Sequence, residues 1–337
     1  MRYEPELLRF ADGKQVATKE DWAQRRREML NILAREEYGY LPEKKPTSLQ
    51  LIEKNNNHMA GHGIEEKLEL TIQADKGKFK LPFSLLYPDT EGKHPLFLYI
   101  SFENAVYQRY FPAQSVLSRG YAVALLHYTA IASDDRDFTN GLAPLMDRPQ
   151  DGTGWGKISL WAWTLSRALD ELIKRDDIDK DNIAVIGHSR LGKTALWCGA
   201  NDERIRFSCV NDSGCSGAAM ERGKNPESET AEIIFRRFPF WFCENYGKYG
   251  KDAEHMPFDQ HMAVAACCPR YALVSSASLD AWADPPSEKR SCEAAKPAWE
   301  RFGDGTQGIQ YFLRDGTHFL SLYDWNNYMD FIDAHKA

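Results

Sequence analysis

The chain has 337 residues, 43% of them hydrophobic and 12% aromatic, and its 42 basic and 49 acidic side chains give a net charge of −7. This is the composition of a globular protein with a sizeable core. It lacks the positive field that a nucleic-acid binder needs to displace counterions. No stretch reaches the ~18 to 20 continuous apolar residues of a membrane span. The start, Met1-Arg2-Tyr3-Glu4-Pro5, goes straight into polar residues, so the expectation is a cytoplasmic protein or one whose leader has been trimmed. Seven cysteines, an odd number without framework spacing or a C-x-x-C pair, read as buried free thiols and not as a disulfide scaffold or a zinc site.

Thr18 followed by Asp21 marks a helix start, and Trp22, Met29 and Leu33 recur at helical spacing through Arg35. The basic cluster Arg25 to Arg27 lies in this pattern and reads as a solvated face. Leu68, Leu70 and Ile72, then Phe79, Leu81, Phe83 and Leu85, alternate with polar residues around a Lys76-Gly77 turn, which predicts a β-hairpin. Beyond it short apolar runs appear at 96–100, 122–126, 183–186, 207–210, 271–274 and 309–313. Such runs suit strands buried on both faces of a parallel sheet. Helical patterns lie between them, the clearest at Ile158, Trp161, Leu165, Leu169 and Leu172 and at Trp325, Tyr328, Met329 and Ile332. The expectation is an α/β fold: a doubly wound, mostly parallel sheet extended by N-terminal antiparallel strands, in a three-layer αβα sandwich. Without a linker or repeat, the whole of 1–337 reads as one domain, with a helix and hairpin over about 1–92 and a core over about 93–337.

The sharpest local signal is the apolar strand at 183–186 running through Gly187-His188-Ser189 into a helix-forming segment. A sharp strand-to-helix turn lifts a serine oxygen clear of the sheet and offers free backbone N–H groups to an oxyanion. The G-x-S-x-G pattern is not met, because Leu191 takes its last position and the glycine falls one later, at Gly192. A serine nucleophile needs a base, and α/β-hydrolases place nucleophile, acid and histidine in that order. His318 follows the 309–313 run in Asp315-Gly316-Thr317-His318 and is the candidate base among nine histidines. Asp280, on the loop after 271–274, is the preferred acid; Asp212, directly after 207–210, is the alternative. Asp284 precedes a proline and reads as a turn residue. Gly152 to Gly156 lacks the Ser or Thr of a phosphate loop, and Asp259 with His261 lacks a third metal ligand.

Gly187-His188-Ser189-Arg190-Leu191-Gly192-Lys193 resembles the nucleophile motif of glucuronoyl esterases, carbohydrate esterase family 15. Further segments resemble its bacterial branch: Trp155-Gly156 leading into Trp161-Ala162-Trp163, Ser213-Gly214-Cys215-Ser216-Gly217, Phe238-Pro239-Phe240-Trp241-Phe242, Phe258-Asp259-Gln260-His261, Trp282-Ala283-Asp284-Pro285 and Asp315-Gly316-Thr317-His318. The resemblance implies an α/β-hydrolase fold and a serine esterase that cleaves the ester between a glucuronic acid side chain of xylan and an alcohol, without metal or cofactor. It implies an oxyanion contact from Arg190, sugar contacts from Lys193 and Glu229, and a sugar platform at Trp282. In that family the acid stands at either of two places, and this sequence has aspartate at both, Asp212 and Asp280. Phe240 stands where histidine is common, so one polar group near the sugar is missing. The expected partner is a glucuronoxylan-derived saccharide ester, met by a monomer with no nucleic-acid or membrane role. The competing readings are an acetyl xylan esterase on the same triad and a catalytically silent carbohydrate-binding homologue.

Overall fold

The computed structural model describes residues 6–337, so the polar start Met1 to Pro5 lies outside the described residues. Nine strands form one sheet in the order β1-β2-β3-β5-β4-β6-β7-β8-β9. They are β1 (Thr47–His58), β2 (Gly63–Ala74), β3 (Gly77–Tyr87), β4 (His94–Ser101), β5 (Ala122–His127), β6 (Ile178–His188), β7 (Phe207–Asn211), β8 (Tyr271–Ala277) and β9 (Ile309–Arg314). The first three are antiparallel and join the parallel set through β3 against β5. The α-helices are α1 (Lys19–Leu33), α2 (Ala113–Ser118), α3 (Tyr128–Ile131), α4 (Lys157–Leu172), α5 (Arg190–Asn201), α6 (Ala231–Arg237), α7 (Gln260–Ala265), α8 (Pro285–Phe302) and α9 (Leu322–His335).

Alternation within the central strands feeds two cores. Leu96, Leu98 and Ile100 enter the larger one with α4, α5 and α8, whereas Phe97 and Tyr99 enter the other with α2 and α9. This is the expected three-layer α/β architecture. The chain winds from β4 to β5 on one side and then crosses to β6 on the other, so the strand order reverses between β4 and β6. Ligands of open α/β sheets bind outside the carboxyl ends of the strands at such a point. All seven cysteines are buried free thiols. Among the described residues no helix is long and apolar enough to cross a membrane.

Two expectations need correction, and one strand was not foreseen. The run 309–313 forms the edge strand, not one covered on both faces, and Leu313 is half exposed. Arg25 and Arg26 are not a solvated face: Arg25 donates to the carbonyls of Glu6 and Leu7, and Arg26 to those of Ala200 and Ala266. Their cost of burial is offset by carbonyls that would otherwise lack donors. A strand not foreseen, β1, is almost wholly exposed and mostly polar, so it carries no apolar period to read. The helix start at Thr18 is a capping box with Asp21.

Candidate active site

At the end of β6 the chain turns through Ser189 with φ 59° and ψ −127°, a left-handed backbone on a residue with a Cβ. Such a conformation costs of order 1–3 kcal/mol and persists only where its surroundings enforce it. Here they do. The Ser189 N–H donates to Asn211 O at 2.9 Å, and Ser189 O accepts the Lys193 N–H at 3.1 Å as the first helical bond of α5. The hydroxyl performs no capping. A Cβ on Gly187 would lie 2.0 Å from Leu191 O, and one on Gly192 would lie 2.8 Å from Asn211 O. The close approach thus falls at Gly192, while Leu191 is fully buried in the core, which explains the displaced glycine of the motif.

The loops after β8 and β9 are laced together, with Ser278 N–H donating to Arg314 O and Leu279 N–H to Gly316 O, both at 2.9 Å. This lacing brings Asp280 Oδ2 to 2.5 Å from His318 Nδ1. Asp280 is buried, and the His318 side chain is 43% exposed. Asp212 is close by, but its oxygens have other partners: Oδ1 accepts the Ala277 N–H at 2.7 Å, and Oδ2 lies 3.4 Å from Arg314 Nη2 and from the Phe319 N–H. Burial, with Glu288 and Asp280 nearby, pushes the Asp212 carboxyl up to about 8. Asp212, Asp280 and His318 could each offer a metal one atom, all within 4.8 Å. The Arg314 guanidinium already sits against Asp212 and the His318 nitrogen is bonded to Asp280, so the donor set fits proton handling better than a metal.

These groups line a cleft of about 340 Å³ together with Ser189, Arg190, Lys193, Glu229 and Trp282. The candidate nucleophile, base, both candidate acids and the expected oxyanion and sugar contacts therefore converge on one cavity. Arg190 is no free surface charge. It pairs with Asp134, and its guanidinium carbon lies 4.9 Å from the Trp241 ring centre, 5.7 Å from Phe102 and 5.8 Å from Phe238. Its Nε–H has no hydrogen-bond partner. Lys193 is buried, with its ammonium bonded to the carbonyls of Ser213 and Cys215, and burial lowers its pKa. Trp282 is 44% exposed and Glu229 is buried at the wall. Phe240 packs edge-on against Phe238 and Trp241, which themselves line the cleft.

Four contributors were not legible beforehand. Asp134 anchors Arg190 and accepts the Trp241 indole N–H at 2.6 Å. Glu288 takes the Ser213 hydroxyl at 2.7 Å and the Gly214 N–H at 2.8 Å, fixing the turn after β7. Arg314 donates to Thr317 O at 2.9 Å and to Phe319 O, which holds the turn bearing His318. His188 is buried with its ring centre 4.4 Å from that of His318, and its Nδ1 lies 2.6 Å from Asn211 Oδ1. Strand alternation offered a signal for His188 alone, since it shares a face with buried Ile186.

Residues 70–303 match the family described as glucuronyl esterase, fungi. The chain belongs to the glucuronyl esterase family. Its activity class is carboxylic ester hydrolysis. The chain is 28% identical to carbohydrate esterase MZ0003 from an unknown prokaryotic organism, over 99% of this chain and 89% of that protein. It is 27% identical to the 4-O-methyl-glucuronoyl methylesterase of Podospora anserina, over 87% of this chain and 59% of that one. Among solved structures, a glucuronoyl esterase from Solibacter usitatus superposes with a TM-score of 0.89 at 31% identity, covering 98% and 97% of the two chains. A promiscuous family 15 esterase from a marine bacterial metagenome gives 0.90 at 28%, covering 99% and 97%.

Proposed function

We propose that this glucuronyl esterase hydrolyses the ester between a (4-O-methyl-)glucuronic acid side chain of xylan and an alcohol, through an acyl-enzyme on Ser189. The observation that carries this is the 2.5 Å contact of Asp280 with His318 in the cleft that also holds Ser189 at its strained turn. Asp280 fixes the imidazole with its proton on Nδ1, leaving Nε2 to take the Ser189 proton as the oxygen attacks the uronoyl carbonyl. Negative charge then develops on the carbonyl oxygen. The backbone N–H of Arg190 at the start of α5 is the donor for it, with the Arg190 guanidinium at the cleft wall beside it. His318 next protonates the leaving alcohol, then activates water to release the uronate.

Trp282 supplies an apolar face for the sugar, with Glu229 and Lys193 at the hydroxyls. The names of relatives, 4-O-methyl-glucuronoyl methylesterases among them, support the uronoyl side of the ester. The reaction asks for no metal or cofactor, and the enzyme acts as a monomer on a saccharide ester. The test compares the protein with Ser189→Ala on benzyl glucuronate and on acetylated xylan. Uronate release by the wild type and none by the variant is expected. Equal rates for the two would refute the nucleophile, and acetate release without uronate release would transfer the assignment to an acetyl xylan esterase.

A further inference from the structure

A second cavity system lies against β2 and β3, around the loop that follows β4. Tyr107, on this loop, is 69% exposed, more than any other aromatic residue among the exposed large hydrophobics. One face of its ring is occupied: it stacks on His58 at 5.5 Å and 22°. His58 is buried, with Nδ1 3.3 Å from Glu65 and Nε2 without a partner. Glu65 in turn accepts the Ser84 hydroxyl at 3.0 Å. The ring is therefore a platform backed by fixed groups.

The loop is also held from within. Gln108 accepts from Ser101 Oγ at 3.0 Å and donates to Ala105 O at 2.7 Å, and Tyr110 O accepts the Trp325 indole N–H at 2.9 Å. Clefts of about 330 and 810 Å³ lie on either side of Tyr107. Glu65, Lys67 and Asn104 line the first, and His62, Gln114 and Ser115 the second, so both acceptors and donors surround the ring.

We infer that Tyr107 and its flanking clefts form a remote subsite for the pyranose main chain of the polysaccharide whose ester is cleaved at Ser189. A pyranose presents an apolar C–H face with a rim of hydroxyls, which matches an open tyrosine face ringed by mixed polar groups. The position matches as well. Tyr107 lies three residues before Tyr110 on one loop, so at most about 11 Å of chain separates them. Tyr110 of the same loop packs 5.4 Å from His188 and 4.8 Å from Phe319, next to His318. A saccharide chain leaving the catalytic cleft along this loop reaches Tyr107, whereas a single uronate ester does not.

The inference takes its ligand from the proposed function, so the test separates the two. Binding is measured by affinity electrophoresis in gels containing glucuronoxylan, with Ser189→Ala as background so that nothing is turned over. Adding Tyr107→Ala is expected to weaken binding at least about threefold, and adding Tyr107→Phe to preserve it. In the active enzyme Tyr107→Ala should leave benzyl glucuronate kinetics unchanged and raise KM only on long oligosaccharide esters. Undiminished retardation with Tyr107→Ala, or no retardation of the Ser189→Ala background, overturns the subsite even where benzyl glucuronate is cleaved. Retardation that depends on Tyr107 in a protein inactive on benzyl glucuronate upholds the subsite and refutes the proposed activity instead.

Discussion

The two aspartates beside His318 make the most direct trial of the site. Asp280 faces the imidazole across a charge-assisted contact of 2.5 Å, and an amide there can turn its NH₂ toward Nδ1 and hold the wrong tautomer. In a serine triad that change costs about 10⁴ in kcat. The 43% exposure of His318 lets water share the imidazolium charge, so about 10³-fold is expected, or roughly 4 kcal/mol of transition-state stabilisation. Asp212→Asn should cost under about tenfold, because its oxygens serve Ala277, Arg314 and Phe319, and the amide oxygen can still accept from Ala277. The two carboxyls also differ in how they couple to pH. The Asp212 pKa is raised from 3.8 to about 8, so the folded state holds a proton that the unfolded state has lost. Its contribution to stability is full below about pH 4 and fades up to about pH 8. Asp212→Asn should therefore gain thermal stability relative to the wild type as pH rises from 4 to 8, with the difference smallest at pH 4. Steady-state kinetics on benzyl glucuronate and melting curves across that range read both effects. A larger loss of kcat in Asp212→Asn than in Asp280→Asn would refute the assignment of the acid.

Arg190→Met should lower kcat by about 10²-fold with KM nearly unchanged, because a donor to the oxyanion acts in the transition state. His188→Ala should lower kcat about tenfold by removing the ring 4.4 Å from His318, and His188→Phe, which keeps a ring there, should restore most of it. Single-turnover kinetics separate the chemical step from release in both. Gly187→Ala should destabilise the fold by about 3 kcal/mol or more in urea titration, since the new Cβ would lie 2.0 Å from Leu191 O.

What the sequence discloses here follows from how each feature is encoded. The central strands announce themselves because β4 to β8 are covered on both faces, and a continuous apolar run is the direct record of that. The polar edge strand β1 leaves no such record, and β9 shows an apolar run although it is an edge, so apolarity alone overstates its burial. Ser189, Asp280 and His318 are legible because each follows a strand end and chain order constrains their roles. Asp134 and Glu288 act through contacts 56 and 75 residues away in sequence, and nothing local distinguishes them from surface charges; Arg314 holds the carbonyls of Thr317 and Phe319 nearby, but no residue pattern announces it. The same holds for Arg26, whose ion pair with Glu203 and bond to Ala266 O are purely tertiary.

Arg190 and Lys193 read as a positive pair beside the nucleophile, but their partners alter what they deliver. Asp134 neutralises Arg190, and three aromatic rings confine its guanidinium, so the residue acts less as a net charge than as a donor held in one place. That suits an oxyanion, which gains most from donors that need no reorganisation as charge develops. The Lys193 ammonium keeps its charge while bonded to two neutral carbonyls, and Arg237 brings a further cation to the same cleft, over the Phe238 and Trp282 rings. These two cations favour the anionic product over the neutral ester. Free glucuronate should therefore inhibit the wild type competitively, and replacing Asp134 with asparagine, which frees the charge on Arg190, should lower its inhibition constant further.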